Sequence, residues 1–344
     1  MASERIIVVG ASAGGVEALT ELVAELPGDF AAPIIIVLHI PPQHPSLLPR
    51  ILARRSILPV MTAEEGIEVE PGKVYVAPPD RHVLVDHGGM LQTPRGPREN
   101  SHRPAVDPLF RSAALTYGAK AIGVVLTGTR DDGTSGLKAI KECGGIAIVQ
   151  DPNDAAYPWM PKNALEHVDV DHVVALKDLP ALLVRVLQQK LTPAIVSADI
   201  ARLEQEKRIA EMTPKSMQED DRPGKPSAFS CPDCGGVLWE IEDGDMMRYR
   251  CRVGHAFSPD SMVGAVDDAL ETALWAALKT LEESARLSHR LAENESARGQ
   301  AWLVKRFRER ETEARNRAEV IRRFLREEPG ESESATEQPQ TEAQ

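Results

Sequence analysis

Between residue 5 and about residue 190, short runs of Ile and Val alternate with stretches in which apolar residues recur every three or four positions. A short β-branched run that is apolar on both faces reads as a strand buried on both sides, and the longer period reads as a helix with one covered face. The pattern predicts strands at 5–9, 34–38, 73–77, 122–126 and 146–150, with helices at 16–25, 47–55, 107–117, 133–143 and 179–190. Regular alternation of this kind predicts an α/β fold, doubly wound, with a mostly parallel sheet covered on both faces. Residues 82–85 and 90–92 flank His87-Gly88-Gly89, which predicts an antiparallel hairpin at or beside one sheet edge.

The pattern changes after this first domain, 1–190. Over 191–228 apolar content falls and Pro, Lys, Glu and Asp take over, which reads as a short helix and then a linker. A compact cysteine-bearing module is expected at 229–258. Residues 259–328 carry two helical stripes, one through Leu270, Leu274, Leu278, Leu281, Ala285 and Leu291, the other through Leu303, Phe307, Ala314, Ala318, Ile321 and Leu325. A break at 294–299 would fold them into an antiparallel helical hairpin or coiled coil, able to dimerise or dock a partner. The Ser/Glu/Gln/Thr-rich end, 329–344, reads as a disordered tail.

Candidate chemistry starts at the first strand, which runs into Gly10-Ala11-Ser12-Ala13-Gly14-Gly15 and then a helix. A strand-to-helix turn lifts Ser12 clear of the sheet and points free N–H groups of the helix at the same corner, so a nucleophile and an oxyanion site can share it. The same turn could hold a dinucleotide pyrophosphate, but that fingerprint wants a glycine where Ser12 stands. Ser12 could also be a plain helix cap. Partners decide among these. His39 follows the strand at 34–38, and Asp131 and Asp132 follow the strand at 122–126, so both candidates fall at carboxyl ends of parallel strands, where open α/β sheets gather their chemistry. Taken singly, His39 could be a hydrogen-bonded strand-end residue and Asp132 a helix cap.

Several ordered blocks resemble the catalytic domain of the chemotaxis protein-glutamate methylesterases, the CheB family. They are Gly10-Ala11-Ser12-Ala13-Gly14-Gly15, His39-Ile40-Pro41-Pro42, Val74-Tyr75-Val76-Ala77-Pro78-Pro79-Asp80-Arg81-His82, His102-Arg103-Pro104-Ala105-Val106-Asp107-Pro108-Leu109-Phe110 and Gly123-Val124-Val125-Leu126-Thr127-Gly128. The resemblance covers about residues 6–187. It implies a serine hydrolase that removes methyl groups from glutamate esters of methyl-accepting chemoreceptors, with methanol released, and in some members deamidation of receptor glutamines. Carried over, Ser12 is the nucleophile, His39 the general base and acid, and Asp132 the orienter, with Asp131 its neighbour. The Ala13 N–H is a candidate oxyanion donor, with a second expected near Thr129, where the family usually has methionine. His102, Arg103 and Trp159 are the substrate-cleft candidates, although Arg103 could instead pair with Asp107 and Trp159 could be plain packing. The family's phosphoacceptor receiver domain has no counterpart ahead of the first strand, so control is expected from a partner or from the C-terminal half.

Cys231-x2-Cys234, followed after sixteen residues by Cys251-x3-His255, has the spacing of a tetrahedral Cys3His site. Three thiolates and an imidazole suit Zn²⁺ better than Mg²⁺ or Ca²⁺, and four protein ligands predict a structural ion in a zinc-ribbon-like module. Catalysis itself is expected to need no cofactor.

Composition narrows the setting. A net charge of -12 and a pI near 5.3 argue against nucleic acid as a partner. No apolar run reaches the length of a membrane span, and the first residues lack a signal-peptide core, so the expected compartment is the cytoplasm without membrane insertion. Two other function classes stay open at this level: a non-catalytic scaffold that binds receptor helices in the cleft, and an esterase acting on another substrate.

Overall fold

The computed structural model describes residues 5–42, 45–190, 196–212 and 224–326. The linker and tail expectations fall largely on residues outside this set, 191–195, 213–223 and 327–344. The chain divides into two compact units, Met1–Ala265 and Val266–Gln344.

The first unit opens with β1 (Ile6–Ala11), α1 (Gly15–Ala24), β2 (Ile34–Leu38), α2 (Leu48–Ala53), β3 (Val60–Thr62) and β4 (Val74–Val76). It continues through β5 (Leu84–Asp86), β6 (Met90–Gln92), α3 (Val106–Tyr117), β7 (Ala121–Val125), α4 (Thr134–Glu142), β8 (Ile146–Gln150), α5 (Trp159–His167), β9 (His172–Val174) and α6 (Leu179–Gln188). Seven strands form one sheet in the order β3-β4-β2-β1-β7-β8-β9, and every neighbouring pair is parallel.

β1 lies at the centre and is buried along its whole length. Because side chains alternate along a strand, Ile6 and Val8 enter one core with Leu109 and Phe110 of α3 and Leu137 of α4. Ile7 and Val9 enter the opposite core with Leu19 and Leu22 of α1 and Leu182 and Leu183 of α6. Both faces are covered, which is why the strands read as continuous apolar runs. From β1 the chain passes to β2, skips to the edge at β3, comes back to β4 between them, and then crosses to β7 on the other side of β1. The order therefore reverses between β1 and β7, and a crevice opens at the carboxyl ends of these two strands.

The hairpin expected at or beside a sheet edge forms a two-stranded antiparallel sheet of its own, β5 and β6. Side chains of α3 hold it there: Ser112 Oγ accepts the Val85 N–H at 3.0 Å and the Thr116 hydroxyl donates to Val85 O at 3.1 Å, using groups that a sheet partner would have needed. The short strands β3 and β9 and the helix α5 were not anticipated. β3 and β9 have three residues each and no fully buried position, so they carry little apolar signal.

Beyond α6 come α7 (Ile200–Ala210), then β10 (Lys225–Ser230), β11 (Val237–Asp243), β12 (Met246–Cys251) and β13 (Ala256–Phe257), and α8 (Pro259–Ala297) begins. β10 to β13 form a four-stranded antiparallel sheet. It is joined to the α/β layers by a buried charge cluster. Glu206 of α7 accepts from Arg248 Nη2 at 2.5 Å and from Arg250 Nη2 at 3.0 Å, and lies 3.2 Å from Arg111 Nε of α3. Glu99 pairs with Arg111 and with Arg250. All five side chains are at most 6% exposed. Burial would push the Glu206 carboxyl up, but the three surrounding guanidinium groups hold it well below the usual carboxylate range.

The second unit holds the rest of α8 and α9 (Ala301–Arg326). His289 Nδ1 lies 3.1 Å from Glu311 Oε2, and Arg322 Nη2 donates to Glu282 Oε1 at 2.8 Å, so the helices run antiparallel. Leu278, Ala285, Ala314 and Ala318 of the expected stripes are buried, while Leu270 is exposed. Among the described residues, no helix is long and apolar enough to cross a membrane.

Candidate functional site

Three loops meet above the crevice between β1 and β7. The first carries Ser12, directly after β1, and turns at Gly14, whose φ of 72° lies in the left-handed region that favours glycine. The Ser12 N–H donates to Thr127 O at 3.0 Å, tying this turn to the end of the neighbouring strand. The second loop carries His39, directly after β2. The third, between β7 and α4, carries Asp132.

Ser12 Oγ lies 3.0 Å from His39 Nδ1, and His39 Nε2 lies 2.7 Å from Asp132 Oδ2. An ionised carboxylate only accepts, so the proton belongs on Nε2 and leaves Nδ1 as an acceptor aimed at the serine hydroxyl. The two ring nitrogens thus take the opposite roles from those in chymotrypsin-like proteases. The His39 side chain is 6% exposed and that of Asp132 2%.

Asp132 is held by more than the imidazole. The Val106 N–H donates to Oδ2 at 2.7 Å, the Asp107 N–H to Oδ1 at 3.3 Å, and Asn100 Nδ2 to Oδ1 at 2.9 Å. Val106 and Asp107 open α3, and the first N–H groups of a helix have no partner within it, so the carboxylate sits where a helix favours an anion. Gly10 lets α3 come this close: a Cβ there would lie 2.3 Å from Val106 Cγ1. Burial would raise the Asp132 carboxyl, but the bond to His39, the imidazole's charge, and the Val106 and Asn100 donors hold it well below the usual carboxylate range. Asp107 differs. Burial and the facing Asp132 charge push it up to about 7, and its Oδ1 accepts the N–H groups of Gly133 and Gly136 at 3.1 and 2.7 Å.

On the other side of Ser12, the Ser12 carbonyl accepts the Gly15 N–H at 2.9 Å. Peptide planarity then fixes the direction of the Ala13 N–H, which has no hydrogen-bond partner among the described residues. The Gly128 N–H is taken by Tyr157 O at 2.9 Å, whereas the Thr129 N–H has no partner among the described residues. Gly128 packs directly on the serine, since a Cβ there would lie 2.9 Å from Ser12 Cβ and 2.0 Å from Met160 Sδ.

Ser12, Ala13, His39, Pro41, His102 and Arg103 are among the residues lining a cleft of about 570 Å³. His102 stacks on the His39 ring. Arg103 does not pair with Asp107. Its Nε and Nη2 donate to Asp80 Oδ1 at 3.0 and 2.5 Å, and its Nη1 to Gly96 O at 2.6 Å, because Asp107 is already committed to the start of α4. Trp159 lies outside this lining, exposed, with Lys162 Nζ 5.0 Å from its ring centroid.

Sequence reasoning missed two groups that shape this site. Asp80 sets the Arg103 guanidinium, and Asn100 braces Asp132. The backbone of Asn100 has a positive φ of 51°, a conformation asparagine accepts more readily than most residues, so Asn100-Ser101 between an acidic residue and His102 was the available signal.

Cys231, Cys234, Cys251 and His255 are brought together, with all ligand atoms within 4.8 Å of one another. Cys234 Sγ to Cys251 Sγ is 3.7 Å, and His255 Nδ1 lies 3.7 and 3.6 Å from the sulfurs of Cys231 and Cys251. A tetrahedron with Zn–S bonds of ~2.3 Å has edges of ~3.8 Å, so the spacing fits one metal ion. Asp233 Oδ2, 4.0 Å from His255 Nε2, stands where an outer carboxylate orients a ligating imidazole.

With the geometry in place, comparison decides the family. The model of the family described as CheB methylesterase matches residues 7–183. The chain belongs to the CheB methylesterase family. A putative protein-glutamate methylesterase/protein-glutamine glutaminase of Leptospira interrogans is 42% identical over 185 residues, covering 54% of this chain and 96% of the relative. Protein-glutamate methylesterase/protein-glutamine glutaminase 5 of Myxococcus xanthus is 37% identical over 187 residues, 54% of each chain. The crystal structure of the Thermotoga maritima CheB methylesterase catalytic domain matches with a TM-score of 0.51 and 37% identity, over 53% of this chain and 98% of that one. The family match ends at residue 183, so α7, the β10–β13 sheet and the two long helices lie outside it.

Proposed function

We propose that the chain is a protein-glutamate methylesterase in which Ser12, His39 and Asp132 act as the catalytic triad, working in the cytoplasm on methyl-accepting chemoreceptors or similar signalling proteins. The observation that carries this reading is the unbroken pair of contacts from Ser12 Oγ through the His39 ring to Asp132, at 3.0 and 2.7 Å.

In this reading the Ser12 oxygen attacks the carbonyl carbon of a glutamate γ-methyl ester while His39 Nδ1 takes the hydroxyl proton. Asp132 stabilises the imidazolium that forms. The tetrahedral oxyanion is met by the Ala13 N–H, with the Thr129 N–H as the second candidate. The imidazolium returns its proton to the departing methoxide, which leaves as methanol. Water, activated by the same nitrogen, then cleaves the acyl-serine and frees the glutamate carboxylate. A glutamine side chain can follow the same route with ammonia as the leaving group. Arg103, held by Asp80 in the same cleft wall, presents a fixed guanidinium–carboxylate pair to a polar protein surface. His102 lines the wall beside it, and Trp159 contributes to substrate contact only beyond this lining.

The Cys231, Cys234, Cys251 and His255 site is proposed to hold a structural Zn²⁺. When bound, the ion supplies a cross-link among β-strand ends and no open coordination position. The α8 and α9 hairpin, with Trp275, Leu287, Trp302 and Phe324 exposed, is proposed to self-associate or dock a partner, which sedimentation of the full chain would read.

Active-site labelling tests the triad. A fluorophosphonate should form one adduct, on Ser12, and labelling should collapse in His39→Ala. An adduct elsewhere, or equal labelling of both proteins, would reject the assignment.

A further inference from the structure

One donor to Asp132 leads out of the family domain. Asn100 uses both amide hydrogens on carboxylates, giving Nδ2 to Asp132 Oδ1 at 2.9 Å and to Asp107 Oδ2 at 3.0 Å. This orientation is the only one its amide can take there, because a flipped side chain would set its oxygen against the Asp132 carboxylate and its NH2 against the Ser258 N–H, which can only donate. Its Oδ1 therefore faces the other way, and it receives the Ser258 N–H at 3.1 Å and the Ser261 hydroxyl at 3.0 Å.

Both serines belong to Ser258-Pro259-Asp260-Ser261, the first turn of α8. They cap one another, with Ser261 N–H donating to Ser258 Oγ at 3.0 Å and Ser258 N–H to Ser261 Oγ at 2.8 Å. The Ser258 hydroxyl also reaches Asp131 Oδ1 at 2.7 Å. The turn thus grips two consecutive residues of the loop that carries Asp132, one directly and one through Asn100. Ser258, Ser261, Asn100, Asp131 and Asp132 are all at least nine-tenths buried, so water does not replace these bonds cheaply. The backbone is fixed as well: Asn100 N–H donates to Ala256 O at 2.8 Å and Ala256 N–H to Arg98 O at 3.2 Å, continuing β13 alongside residues 98–100.

We propose that Asn100 is a positioning residue for the Asp132 carboxylate and that the Ser258–Ser261 turn sets its orientation, making the cysteine-bearing module a working part of the hydrolytic site. The proposal rests on the triad reading given above. Without the two hydroxyls the Asn100 amide keeps only the Ser258 N–H on its Oδ1 and Asp131 loses its Ser258 partner, so the Asn100 hold on Asp132 Oδ1 weakens and the carboxylate is aligned by the Val106 and Asp107 N–H groups alone. Neither serine lines the substrate cleft, so the loss should fall on kcat and not on KM.

The test uses the full chain with Ser261→Ala and the double variant Ser258→Ala/Ser261→Ala. Two readouts are followed: methyl-ester hydrolysis, and the downfield proton resonance of the His39–Asp132 hydrogen bond. Melting temperature and metal content report folding. The double variant should lose roughly tenfold or more in kcat with KM unchanged, and its downfield resonance should shift or broaden while metal content stays constant. Wild-type kcat together with an unmoved resonance would overturn the proposal. Should the double variant fail to fold, Ser261→Ala alone is read by the same two criteria. If Ser12→Ala hydrolyses the ester as fast as the parent, the triad reading fails, and the resonance then decides the positioning role separately.

Discussion

The rings of His39 and His102 lie flat against each other, with centroids 3.7 Å apart and planes within 10°. Two imidazoliums could not share that stack, and the structure settles which ring stays neutral. Burial, then the neighbouring His39, lowers the His102 pKa from its ordinary 6.5 to about 4. Its Nδ1–H donates to Asn100 O at 2.6 Å, so His102 is a neutral, fixed plate beside the reacting imidazole.

That shift gives a pH-dependent stability with a definite sign. Between pH 6.5 and about 4 the unfolded chain protonates this histidine and the folded chain does not, so stability falls as pH falls. The slope from this group is about 1.4 kcal/mol per pH unit within the window, and nothing is lost above it. Urea unfolding across that range should show the slope in the parent and a shallower one in His102→Phe. Parallel curves would contradict the assignment.

Gly128 packs against the serine without room for a side chain. A methyl group there meets buried Met160 and the Ser12 Cβ together, so Gly128→Ala should displace one of them. Overpacking should cost about 1–3 kcal/mol in stability. The larger effect is expected in kcat, measured on folded protein, because the hydroxyl loses its alignment with His39.

The Glu206 carboxylate is fully buried among three arginines. Glu206→Ala leaves three buried cations with only Glu99, beside Arg111 and Arg250, and Asp243, 3.2 Å from Arg248 Nε, as counter-charges, and should destabilise the first unit by about 3–5 kcal/mol. Chemical denaturation measures this. A change too small to resolve would mean that Glu99 and Asp243 neutralise the cluster unaided.

Metal analysis of protein purified without added zinc should find about one equivalent per chain. Cys251→Ser removes a ligand from the centre of the site and should reduce that content sharply. Unchanged metal in the variant would place the ion elsewhere.

Much of this was legible from the residues. Five of the seven sheet strands, the short β4 among them, read clearly because they are buried on both faces, and the reversal between β1 and β7 then puts Ser12, His39 and Asp132 at one edge. Arg103 was harder, since helical spacing favoured Asp107, whereas its partner Asp80 lies 23 positions away in sequence. The role of Ser258 and Ser261 had no local signature beyond a helix cap, because it depends on a buried contact with Asn100, 158 positions earlier. The Glu99, Arg111, Glu206, Arg248 and Arg250 cluster was invisible for the same reason: each residue alone reads as solvated surface.

The central claim is that Ser12 performs the hydrolysis. Its most direct test is methanol released from a methylated chemoreceptor fragment by the full chain, compared with Ser12→Ala at equal folded concentration. The account predicts steady release from the parent and none above background from the variant. Release at the same rate from both would contradict it.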